Sequence, residues 1–276
     1  RLKLRASGWL VIFLLVGLVW SAPVWSQERE LAEAITQSKD LRAQGKLEEA
    51  VPFAEKALSI GKAMFGAKDP KVAILLDNLA GLYKAQNKFA EAEGFYERSL
   101  SIREQALGSN HPDVAASLNR LAVLFHGQGK LFSAEFLYKR ALEAIKMALG
   151  PNDIKIAKYY NNLASLYQGQ EDYQEAEFYF QRALAVRETA LGPDHREVGD
   201  SLTKLAQLYH RLGRDSAAEF HFKRALKTYE RALGRKHMGI VRALERYASF
   251  LAATGRSKEA KKHRARAEEI RKKNDK

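Results

Sequence analysis

The stretch YYNNLASLYQGQ, Tyr159–Gln170, places Tyr160, Leu163, Ala164 and Tyr167 at i, i+3, i+4 and i+7, the spacing of one face of a helix. Its Leu-Ala pair recurs at Leu79-Ala80, Leu121-Ala122 and Leu205-Ala206, with Tyr247-Ala248 as a weaker fifth copy, so the step is 42 residues. A second series, Ala50, Ala92, Ala134, Ala176, Ala218 and Ala260, keeps the same step. A Leu-Gly pair keeps it too, at Leu107-Gly108, Leu149-Gly150, Leu191-Gly192 and Leu233-Gly234, preceded by Phe65-Gly66. A step that does not drift over this much chain marks a stacked repeat.

Each unit carries two helical stripes. Val72, Leu75, Leu76, Leu79, Leu82 and Tyr83 form one, and Phe89, Ala92, Tyr96 and Leu100 the next. A break near Gln86-Asn87 or Gln128-Gly129 separates them, and the glycine of the Leu-Gly pair supplies a residue able to take φ > 0 just past the second helix. Pro70 and Pro112 sit where a first helical turn tolerates a missing N–H, behind Asp69 and His111. The repeated alanines read as packing residues: a methyl lets two helix backbones approach closely, and a larger side chain would wedge them apart.

Composition agrees with an all-α chain. Only six prolines and 18 glycines punctuate 276 residues, and good helix formers dominate elsewhere. The 46% apolar content is enough for a real core. With no cysteine, disulfides, zinc-thiolate sites and thiol nucleophiles are excluded.

The first residues read as a targeting segment. RLKLRASG carries three positive charges, WLVIFLLVGLVW (Trp9 to Trp20) is a 12-residue apolar run, and SAPVWSQ follows, the order of a secretory signal. Residues 1–26 are expected to be such a signal, with Val24 and Ser26 before a cut at Gln27, making the protein exported: periplasmic or extracellular in a bacterium. The alternative is an uncleaved membrane anchor, since Ala6 to Trp25 approaches the roughly 20 residues a spanning helix needs.

The chain resembles the tetratricopeptide-repeat (TPR) proteins, in the 42-residue variety found in kinesin light chains. The resemblance rests on HPDVAASLNRLAVLFHGQGKLFSAEFLYKRALEAIKMALG (residues 111–150) and NNLASLYQGQEDYQEAEFYFQRALAVRETALG (residues 161–192), and covers roughly residues 28 to 270. It implies a right-handed superhelical solenoid of antiparallel helix pairs, about six repeats, with units near 28–66, 67–108, 109–150, 151–192, 193–234 and 235–270 and a basic tail at 271–276. The first unit departs from the pattern, with Gln37-Ser38 where Leu-Ala is expected, and the last carries RSKEAKKHRARAEEIRKK in place of an apolar second helix. Both departures suit end caps, whose outer faces meet water.

The resemblance further implies that the first helix of each pair lines a concave groove that takes an extended peptide or a partner's helix. The residues before each Leu-Ala pair then point inward: Asp77-Asn78, Asn119-Arg120, Asn161-Asn162, Thr203-Lys204 and Glu245-Arg246. One turn beyond the pair lie Lys84, His126, Gln168 and His210. Asparagine offers both a donor and an acceptor to a peptide backbone, and the basic members favour a ligand with carboxylates. The expected groove residues are Asn78, Lys84, Asn119, Arg120, His126, Asn161, Asn162, Gln168, Lys204, His210 and Arg246. The competing reading makes them ordinary solvated positions of an amphipathic helix.

Charge is uneven. Residues 27–203 hold 22 Lys and Arg against 25 Asp and Glu, whereas residues 204–276 hold 21 against 8. A basic end attracts acidic protein surfaces or anionic lipid. Nucleic acid is not expected, because residues 255–276 carry no aromatic for base stacking and no zinc-finger spacing is present.

No chemistry is expected. His111, His195 and His237 share one repeat position with Asp69 and Asp153 at a helix start, and His126 and His210 fall on different layers of the stack. Glu91-Glu93 and Glu175-Glu177 are two apart on helices and face different directions. There is no Gly-rich phosphate loop, His-Glu-x-x-His or nucleophile elbow. The sequence thus predicts a protein-binding scaffold with no cofactor, metal or catalytic residue. The alternative is a membrane-anchored envelope-organising protein whose basic end rests on anionic lipid.

Overall fold

The computed structural model describes residues 9–274, with side chains from residue 25 onward. The charged start of the N-terminal segment, residues 1–8, and residues 275–276 of the basic tail lie outside the described residues, as do the side chains of residues 9–24. Among the described residues there are twelve α-helices and no strand. They are α1 (Trp9–Ala43), α2 (Leu47–Phe65), α3 (Pro70–Ala85), α4 (Phe89–Leu107), α5 (Pro112–Gly127), α6 (Leu131–Leu149), α7 (Ala157–Gly169), α8 (Tyr173–Leu191), α9 (Arg196–Arg211), α10 (Asp215–Leu233), α11 (Val241–Ala253) and α12 (Ser257–Asn274). Short 3₁₀ turns at Ile154–Ile156 and Met238–Ile240 lead into α7 and α11. Each odd-numbered helix packs most extensively on the even-numbered one that follows it, which is the expected all-α stack of helix pairs. The chain divides into two compact units, Arg1–Ser109 with α1–α4 and Asn110–Lys276 with α5–α12. Among the described residues no helix is long and apolar enough to cross a membrane.

The repeated sequence features have the local causes expected of them. Asp69 Oδ1 accepts from the Lys71 N–H at 2.7 Å and Asp153 Oδ1 from the Lys155 N–H at 2.8 Å. His111, His195 and His237 do the same with Nδ1, accepting from Asp113, Glu197 and Gly239 N–H groups at 3.1, 3.2 and 2.9 Å. Each side chain satisfies a donor that the first helical turn leaves open. The glycines that end the second helices, Gly66, Gly108, Gly150, Gly192 and Gly234, all have φ between 81° and 89°, a region closed to most other residues.

Between the two helices of a pair the chain turns through one left-handed residue. In the first unit these are Gly45 and Asn87; in the second they are Gly129, Glu171, Gly213 and Gly255. The N–H just after it returns to a carbonyl five residues back: Lys88 to Tyr83 and Asp172 to Tyr167, both 2.9 Å, the Schellman closure of a helix end. Glu171, at φ 62°, carries a Cβ where this geometry costs about 1 kcal/mol or more.

The alanine series is the seam of the stack. Ala50, Ala92, Ala134, Ala176 and Ala218 are fully buried and Ala260 is 1% exposed. Ser38 stands where later units place alanine, and it stays buried because its Oγ donates to the Ala50 carbonyl at 3.1 Å. In the second unit, hydrogen bonds also tie successive pairs together. Tyr167 donates to Glu135 and Tyr209 to Glu177, each at 2.8 Å.

Candidate functional site

On a helix, consecutive residues differ by about 100° in direction, so the two residues preceding each Leu-Ala pair cannot both face one surface. The structure separates them. In the first unit Asp77 turns into the packing, where Arg103 Nη1 lies 2.8 Å from Oδ2 and Ser99 Oγ lies 2.7 Å from Oδ1. Both charged side chains are under a tenth exposed. Asn78 stays half-buried beside Arg42 at a small cavity between α1 and α3. Lys84 is also half-buried, and burial followed by the nearby Arg42 lowers its pKa.

In the second unit the expectation for Asn161 is corrected: it is 5% exposed and so is not part of a surface. The same holds for Thr203, whose Oγ1 donates back to the Gly199 carbonyl at 2.8 Å. Glu245 pairs with Arg271. Their neighbours do reach the surface of the first helices. Asn162 Nδ2 donates to Asn119 Oδ1 at 2.7 Å, so the two asparagines join α5 to α7 and hold each other's amide planes. Arg120 is exposed next to Lys158, whose pKa is lowered by burial and then by Arg120.

Further along, Lys204 lies with its Nζ 5.5 Å above the centre of the Phe180 ring. Burial lowers its pKa, and Arg187 and Arg246 add to the effect against Asp200. His210 Nδ1 is 2.7 Å from Asp215 Oδ1, and its ring meets Phe250 edge-on. His126 meets Tyr138 edge-on, and burial lowers its pKa. Gln168 is half-buried near the end of α7. Among the described residues no group of three or more His, Asp or Glu side chains could hold a metal ion.

Two cavities lie between α9 and α11, and Arg242 and Arg246 line both. One, of 190 Å³, also takes in Arg196, Asp200 and Tyr229. The other, of 470 Å³, takes in Arg211, His210 and Phe250. Tyr229 reaches the first from α10 because Gly199 leaves room for it: a Cβ there would lie 2.9 Å from the ring. Its hydroxyl donates to Asp200 Oδ1 at 2.6 Å. Arg196, Arg242 and Asp200 were not among the expected site residues, although Asp200 and Arg242 lie one helical turn before Lys204 and Arg246. Following the stripe back by i−4 would have found them.

The tetratricopeptide-repeat family model matches residues 34–105, 88–147 and 155–231. The chain belongs to the tetratricopeptide-repeat family. Such repeats support a protein–protein interaction scaffold and are generally non-catalytic. Among solved structures, BtubC (BKLC) from P. vanneervenii is similar at a TM-score of 0.67 and 21% identity, covering 90% of this chain and 92% of that one. A putative kinesin light chain of Podosopora anserina with nearly identical TPR-like repeats is similar at a TM-score of 0.64 and 22% identity, over 72% and 94%. PilF of Pseudomonas aeruginosa is similar at 0.57 and 15%, over 86% and 90%. At these identities the likeness shows a shared fold. No curated protein matches the chain.

Proposed function

We propose that this TPR protein is an exported, non-catalytic scaffold that binds a peptide or partner protein of acidic character along the first helices of its second unit. The observation that carries the reading is the run of half-buried polar side chains on α5, α7, α9 and α11. Asn119 and Asn162 are fixed against each other, and Lys204 and Arg246 follow at the same repeat position as Asn162 and Arg120. Paired amides hydrogen-bond a peptide backbone whatever its side chains, and the cations after them favour carboxylates. Export rests on the charged-apolar-small order of residues 1–26.

The test begins with a random-peptide library selected against the full chain. Selected peptides should lose about tenfold or more in affinity for a variant carrying Arg120→Ala, Asn162→Ala and Arg246→Ala, with unchanged helical circular dichroism. Equal affinity overturns the groove reading. Processing of that segment has its own test: the chain isolated from its native cells should have the mass of a product beginning at Gln27, and a retained N-terminal segment overturns cleavage in favour of the uncleaved anchor.

A further inference from the structure

The basic end of the chain is less uniform than its composition suggests. From Arg196 onward, most arginines hold a carboxylate: Arg214 with Glu177, Arg224 with Glu188, Arg231 with Asp194, Arg235 and Arg266 with Glu230, Arg256 with Glu219 and Glu259, and Arg271 with Glu245. Among the described residues Arg196, Arg211, Arg242, Arg246 and Arg264 hold none. Four of these five line the two cavities between α9 and α11. Arginines that hold no carboxylate in an ion pair repel one another, and where they outnumber the acidic residues on one concave surface an anion would relieve the excess.

The 190 Å³ cavity fixes the charge of that anion. Arg196, Arg242 and Arg246 contribute three positive charges and Asp200 one negative charge, and the Tyr229 hydroxyl is already given to Asp200. The Gly239 N–H is likewise taken, by His237 Nδ1, and Thr203 by the Gly199 carbonyl. The guanidinium groups are therefore the donors on offer, and the balance of two positive charges matches a dianion better than a single carboxylate. Guanidinium forks also suit the tetrahedral array of phosphate oxygens bidentately.

We propose that the cavity formed by Arg196, Arg242 and Arg246 between α9 and α11 binds the phosphoryl group of a phosphomonoester. The proposal rests on the reading of this surface as the binding face and names the chemistry that its C-terminal end recognises.

Isothermal titration of the full chain at constant ionic strength tests it, with phosphoserine, inorganic phosphate and acetate as probes. Phosphoserine and phosphate should bind saturably and acetate should not. Arg242→Gln with Arg246→Gln should weaken both by about tenfold or more, while Arg264→Gln, an equally unpaired arginine outside the cavities, should leave them unchanged. Acetate binding as well as phosphate, wild-type affinity in the double variant, or an equal loss in the Arg264 variant overturns the proposal. Binding of phosphate without phosphoserine overturns the ester and leaves a free-phosphate site. If no phosphate binds but selected peptides still depend on Asn162, this inference alone fails; if phosphate binds and the peptides do not depend on Asn162, the groove reading fails instead.

Discussion

Arg103 in the first unit and Arg242 with Arg246 in the second are the same residue type in opposite situations. Arg103 is buried, held by Asp77 and Ser99, and its charge is spent within the fold. Arg242 and Arg246 border open cavities and form no ion pair with the Asp200 and Glu245 carboxylates that line them too. Their charge remains available to a ligand. The difference shows that counting cations along a repeat says little until the partner of each is known.

The comparison can be broken most severely at the buried pair. Asp77→Ala leaves the Arg103 guanidinium buried without its counter-charge, and should cost about 3–5 kcal/mol in chemical denaturation. The Arg242→Gln, Arg246→Gln double variant should shift stability by only about 0.5 kcal/mol or less. Comparable losses in the two would erase the distinction. Between these lies Ala176→Leu, which forces a larger side chain into the seam of the second unit and should cost about 1–3 kcal/mol, read from the denaturation midpoint.

A smaller effect has the opposite sign. Glu171→Gly releases the strain of a left-handed residue with a Cβ and should raise stability by up to about 1 kcal/mol, visible as a higher melting temperature. No gain would mean the surrounding turn, rather than residue type, sets this geometry. The smallest concerns pH. Hydrogen bonds from Arg256 and then Lys223 hold Glu219 down to about 2 from its ordinary 4.5. A depressed carboxylate stabilises the fold fully above its ordinary value and loses that contribution as pH falls toward 2. Glu219→Gln should therefore flatten the acid limb of the stability profile, and an unchanged limb would remove Glu219 from the account.

Much of the fold was legible because each feature recurs at one step: Ala134 and Ala176 are buried, Gly150 and Gly192 take positive φ, and His195 starts a helix as Asp153 does. Local rules and the repeat agree at every such position. The site was only partly legible. Asn162 and Arg246 are half-buried whereas Asn161 is buried, because two neighbours on a helix cannot share a direction. Arg196 and Arg242 were missed for another reason. Whether Arg224 or Arg242 is neutralised depends on contacts with the preceding pair, such as Arg224 with Glu188, which appear only when layers are stacked in register.

The distinction between spent and available charge can be read arginine by arginine. In guanidinium NMR spectra of the full chain titrated with phosphoserine, the resonances of Arg196, Arg242 and Arg246 should shift saturably while those of Arg103, Arg224 and Arg266 stay in place. Uniform drift of all of them, or no shift at the cavity arginines, would contradict the account.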